Sequence, residues 1–107
     1  MKLGGGWGKM MKQLRKVQED VLRVQEELEG ERVEATAGGG AVKAVATGTG
    51  ELLEVKIDPE AVDLEDLEML EDMIVAAVRE VMEQAQNRYT ERMQRVAGDL
   101  GLPPGLL

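Results

Sequence analysis

Seven apolar residues near the N-terminus, Trp7, Met10, Leu14, Val17, Val21, Val24 and Leu28, are spaced 3-4-3-4-3-4. This a/d seam, sustained over about three heptads, predicts a helix over residues 7–29 that lays one narrow apolar stripe against another helix, coiled-coil fashion. Gly30 stops the pattern. The cations of the segment fall off the seam, with Lys9, Lys16 and Arg23 at c positions, Lys12 at f and Arg15 at b. Up to Gln18 the chain carries Lys2, Lys9, Lys12, Arg15 and Lys16 and no acidic residue, although all 107 residues together sum to -8. A purely basic helix end in an acidic chain fits a nucleic-acid contact, a docking site for an acidic partner, or a solvated face without a role.

Three short strand signals follow. RVEATA (32–37) alternates Val33, Ala35 and Ala37 against polar residues, Gly38-Gly39-Gly40 marks a hairpin connection, and AVKAVAT (41–47) is the second strand. ELLEVKI (51–57) is the third, closed by Asp58-Pro59. A long helix is expected over 64–97, with Asp63 as N-cap and Asp66 three residues into it. Its proximal half has two apolar stripes, one through Leu67, Leu70, Ile74, Ala77 and Val81, the other through Met73, Val78, Met82 and Ala85. Its distal half has one, through Tyr89, Met93 and Val96, and so is expected to project as an arm. Residues 98–107 read as an extended tail after Gly98. The fold class is α+β in a single domain spanning 1–107: helix, three-stranded antiparallel sheet, long helix.

A three-stranded sheet with free edges and helices on one face is an incomplete monomer. The doubly apolar MIVAAV segment has the same need for cover, so a homodimer is expected, with Met73, Ile74, Val75 and Val78 at its interface. If the two helices pack antiparallel, Lys9, Lys12 and Lys16 come close to Arg88, Arg92 and Arg95 at an arm tip, away from the acids of residues 51–72. Trp7 and the methionines are expected to pack between helices.

Composition closes off several classes of chemistry. The chain is 43% hydrophobic and 32% charged, which suits a folded domain, but with no Phe and one Trp its core must be thin. It contains neither Cys nor His, so disulfides, thiol nucleophiles and the usual proton shuttle are excluded. The hydroxyl residues have no base beside them in the pattern, and an enzyme is not expected. The glycines match neither a P-loop nor a dinucleotide fingerprint, and the carboxylates of 58–72 lack the alternating loop of a hard-cation site. No metal or cofactor is expected. The N-terminus has no apolar core of a signal peptide and MIVAAV is too short to span a membrane, which points to the cytoplasm and to no membrane partner.

In this order, GKMMKQLRKVQE, VQEEL, GGGAVKAVATGTGELLEVKIDPE, DLEMLEDMIVAAV and LPPG resemble segments of the YbaB/EbfC family of bacterial nucleoid-associated proteins. The likeness runs nearly end to end, and VKIDPE followed by MLEDMIVAAV is its most specific part. It implies a homodimer whose helical arms project like tweezers, duplex DNA as partner, and a place in the nucleoid. Lys9, Lys12, Arg15, Lys16, Arg88, Arg92 and Arg95 are the expected DNA-binding residues, acting mainly on phosphates because no base-reading motif is present. The alternative is a protein-interaction adaptor that uses the same arms on the replication and recombination machinery.

Overall fold

The computed structural model describes residues 3–101 and has an α+β fold with the expected element order. Helix α1 (Leu3–Glu29) is followed by strands β1 (Arg32–Ala37), β2 (Val42–Thr47) and β3 (Leu52–Ile57) and by helix α2 (Leu67–Asp99). Lys2 and the greater part of the expected tail, from Leu102 on, lie outside the described residues.

The sheet is antiparallel in the order β1-β2-β3. Arg32 pairs with Thr47 and Ala37 with Val42 across the first hairpin. Its turn is built by Gly38, Gly39 and Gly40 at φ values of 64°, 68° and 97°, a left-handed run that only glycine adopts without strain. At Gly38 a side chain would also collide with the Met73 sulfur, so the hairpin tip sits directly under α2. Between β2 and β3 the register slips at Val45 and Ala46, whose partners are Glu54 and Leu52, leaving Leu53 as the extra residue of a bulge.

Two cores hold these elements. Val33, Ala35, Val42, Ala44 and Ala46 form the inner face of β1 and β2 and pack beneath Ala77, Val81 and Ala85 of α2. Alanine on both sides lets helix and sheet approach closely, and burial of such a face is the main favourable term in folding. A second cluster joins the helices, with Val24 and Leu28 of α1 against Met93 and Val96 of α2, flanked by Val21, Tyr89 and Leu100. Gly48 locks α1 to the sheet. Its N–H donates to the Leu28 carbonyl at 2.9 Å, and a Cβ there would lie 2.8 Å from that oxygen.

Both helix ends differ from expectation. The long helix begins at Leu67 rather than Leu64 because Asp63 uses its carboxylate on the Glu65 N–H (2.9 Å), closing a local turn. Asp66 is the cap instead, accepting from the Met69 N–H at 3.1 Å. Nor does Gly98 end the helix: it continues to Asp99, and Gly101, at φ 73°, supplies the left-handed residue. At the other end of the chain, α1 starts at Leu3, ahead of the seam. Glycines in that first stretch weaken a helix without forbidding it.

The result is long and thin, 78 × 21 × 16 Å, with a radius of gyration of 20.5 Å. A compact chain of this length has roughly 13 Å. The excess comes from α1, which runs well past the end of α2.

Candidate nucleic-acid interface

Leu100, just past the end of α2, packs beside the cluster that holds Val21 and Val24. The α1 residues ahead of Asp20 therefore have no described helix alongside them. On that freestanding stretch Lys9, Lys12, Arg15 and Lys16 are all exposed. Lys16 lies 3.9 Å from the Asp20 carboxylate, which is itself buried and held at 3.0 Å by Arg23. Among the described residues, Lys9, Lys12 and Arg15 have no ion-pair partner. These cations lie beyond the first turn of α1, which begins at Leu3, so neither an ion pair nor the helix macrodipole gives them a stabilising contact. A fold-stabilising role does not account for them.

The expected union of two basic rows does not occur. Arg88 bonds Glu31 at 2.8 Å, and Arg92 reaches Glu31 at 2.9 Å and Glu27 at 3.8 Å. Both arginines thus face the turn between α1 and β1. At about 1.5 Å per residue, Lys12 is roughly 25 Å from Glu29 along α1. The antiparallel packing is as expected, but its offset carries Arg88 and Arg92 to the body of the molecule. Arg95 is exposed and pairs with Glu91 at 3.2 Å on its own helix.

Trp7 is the second correction. It is 63% exposed, with Met10 and Leu14 each at 52%, so the first turns of the seam are not a packed tip. The shortfall has one cause: α2 ends too early to cover them. Of the methionines, Met93 is buried between the helices as expected, whereas Met10, Met11 and Met69 are exposed.

The expected interface residues are divided. Val75 is 48% exposed, whereas Met73, Ile74 and Val78 are half-buried against the protomer's own core. A larger apolar surface lies next to them. Strand β3 is exposed along its whole length because α2 crosses β1 and β2 and scarcely meets β3. Leu52, Val55 and Ile57 pair with the core residues Ala46, Ala44 and Val42, so they share the core's face of the sheet without a helix over them. Ala76, Glu80 and Gln84 of α2 line a groove along β1, and Met82 stands beside Thr49 and Gly50 at the β2–β3 turn. With about 100° of turn per residue, Leu67, Val75 and Val78 share the Met82 flank and look toward β3. An open apolar trough results. Its signal in the sequence is the set of large apolar residues in β3, Leu52, Leu53, Val55 and Ile57, interrupted by Glu54 and Lys56.

Among the described residues no group of three or more acidic, His or Cys side chains is placed to hold a metal ion, and no helix is long and apolar enough to cross a membrane. Comparison with known proteins identifies the scaffold. A sequence profile described as the YbaB/EbfC DNA-binding family matches residues 3–100. The chain belongs to the YbaB/EbfC family. It is 54% identical over 101 residues to a nucleoid-associated protein of Pelotomaculum thermopropionicum, a match covering 94% of this chain and 96% of that one. A nucleoid-associated protein of Moorella thermoacetica is 52% identical over 99 residues, 92% of this chain and 95% of the other. A crystal structure of an uncharacterised protein from Helicobacter pylori superimposes with a TM-score of 0.64 at 22% identity, covering 73% of this chain and 90% of that one. That likeness speaks to the fold alone. As a YbaB/EbfC member the chain falls in a DNA-binding family rather than an enzymatic one.

Proposed function

We propose that this protein is a homodimer that grips duplex DNA in the nucleoid through the freestanding basic part of α1, mainly by phosphate contacts. The observation that carries the reading is the placement of Lys9, Lys12, Arg15 and Lys16 on a helix that projects from the body of a DNA-binding family member. Several cations on one exposed rod release counterions from the phosphate backbone, and this needs no base-reading motif. Arg95 supplements them from the side of α2. Arg88 and Arg92 are occupied by Glu31 and contribute less. The names of the relatives support a nucleoid location in the cytoplasm.

The dimer is built on the trough between α2 and β3. Covering a half-exposed Leu or Val recovers roughly 1 kcal/mol per side chain. A second copy laying its own α2 flank over β3 covers both troughs at once by two-fold symmetry. This extends the interface expected at Met73, Ile74, Val75 and Val78 to Leu52, Val55 and Ile57.

The test is a mobility shift with Lys9, Lys12 and Lys16 all changed to Glu. Retention of duplex DNA should be lost while helicity and dimerisation persist. Unchanged binding at low salt would overturn the reading. The adaptor alternative draws on the exposed Trp7 stripe, which phosphate contacts leave unused. A partner captured equally well after nuclease treatment would favour it.

A further inference from the structure

The heptad seam is longer than the helix that covers it. From Val21 to Leu28 it is occupied by α2, but Trp7, Met10 and Leu14 are more than half exposed and Val17 is only half-buried. A seam of this spacing is the surface that another helix reads by inserting knobs into holes. We infer that the free seam of α1 pairs with the same segment of α1 from a second dimer, so that dimers join arm to arm.

The choice of partner rests on where the charges lie. In the register that places Trp7 and Leu14 at a and Met10 and Val17 at d, the flanking e and g positions of the free stretch are Gly6, Met11, Gln13 and Gln18. All four are uncharged. Residues at e and g set partner choice in a coiled coil. Neutral flanks leave two identical seams without like charges across the contact. An acidic helix would bring its carboxylates to those flanks and find no cation there. DNA would use the other side, because Lys9, Lys12, Arg15 and Lys16 occupy b, c and f positions and point away from the seam. Arm-to-arm pairing thus buries the apolar stripe and leaves both basic faces outward.

The paired segment is short, and the four cations on each arm repel those of the other. Isolated helices of 12–15 residues are marginal, so the pairing is weak and gains from the two arms of each dimer acting together. Screening reduces the repulsion. Added salt therefore strengthens this contact, whereas it weakens phosphate binding. A basic arm docked on the acidic body of another copy would weaken with salt as well.

The consequence for DNA rests on the grip proposed above, but the pairing does not, so the experiment uses the full chain without DNA. Sedimentation velocity over a concentration series should show a species of twice the basal mass, with a larger share at high salt than at low. Changing Met10 and Leu14 to Glu together should abolish it, while Lys12→Glu, on the opposite face, should retain it. Neither Met10 nor Leu14 belongs to a buried cluster, so the double variant should keep the wild-type melting temperature. Trp7, the only tryptophan, gives a second readout, because its emission should move to the blue as the species forms. The inference is overturned if no doubling occurs, if the double variant still doubles, if doubling fades with salt, or if the double variant shows the same blue shift. A wild-type chain that doubles but binds no duplex would leave the pairing intact and remove the DNA grip.

Discussion

Glu31 holds Arg88 at 2.8 Å and Arg92 at 2.9 Å, and each of these side chains is at least partly shielded from water. The carboxylate sits just past the end of α1, so the pair of bonds staples the distal half of α2 to the α1–β1 turn. An isolated surface pair contributes about 0–1 kcal/mol, but a carboxylate shared by two guanidinium groups in fixed geometry belongs at the upper end. Glu31→Gln should destabilise the fold by about 1 kcal/mol, seen as a fall in melting temperature of roughly 5 °C at low salt that shrinks as salt is added. An unchanged melting temperature at low salt would mean the bonds only replace equivalent hydration. Arg88 and Arg92 share one helix face with Arg95 in the sequence, and spacing alone put them in one basic row. Their separation from it depends on Glu31, a partner 57 and 61 residues away.

The element that departs most from ordinary packing is α1. Its C-terminal part is anchored by Leu28, fully buried, and by the Gly48 contact, while the part ahead of Asp20 depends on helix propensity alone. Two of its glycines, Gly6 and Gly8, have open space where a side chain would stand. Gly6→Ala and Gly8→Ala should each favour the helical arm by about 0.5–1 kcal/mol, since alanine loses less backbone freedom there. Circular dichroism should show higher helicity, and amide hydrogen exchange across residues 9–17 should slow in the double variant. Exchange should remain unchanged from Val21 to Leu28, which is limited by the cluster with Met93 and Val96. Slowing across the whole helix would show that the arm and its anchor open as one unit.

At the scale of the whole molecule, the proposed dimer places the trough between α2 and β3 at its interface. Val55 and Val75 lie on its two walls, exposed in the protomer and outside its buried core. Changing both to Asp should give a folded monomer in sedimentation, with far-UV helicity close to wild type. On the proposed grip a monomer has one arm where the dimer has two, so it should bind duplex DNA at least tenfold more weakly than the dimer. A variant that remains dimeric would move the interface elsewhere.

Much of this was legible along the chain. The 3-4 spacing from Trp7 to Leu28, the alternation of Val33, Ala35 and Ala37, the glycine hairpin and the apolar stripes of α2 are local patterns, because helix and strand periods are properties of consecutive residues. They determined the elements, their order and the absence of charge from the seam. Tertiary structure decided what each stripe meets. Periodicity shows that Trp7 and Leu28 lie on one face, but their burial depends on the end of α2 and on its offset against α1, which local spacing does not encode. The same offset sent Arg88 and Arg92 to Glu31 rather than to Lys12. The path of α2 over β1 and β2 left β3 bare, and that path follows from fitting Ala77, Val81 and Ala85 onto the small residues of the sheet. Sequence thus determined which surfaces are apolar or basic. Only packing decided which of them remain open to a partner.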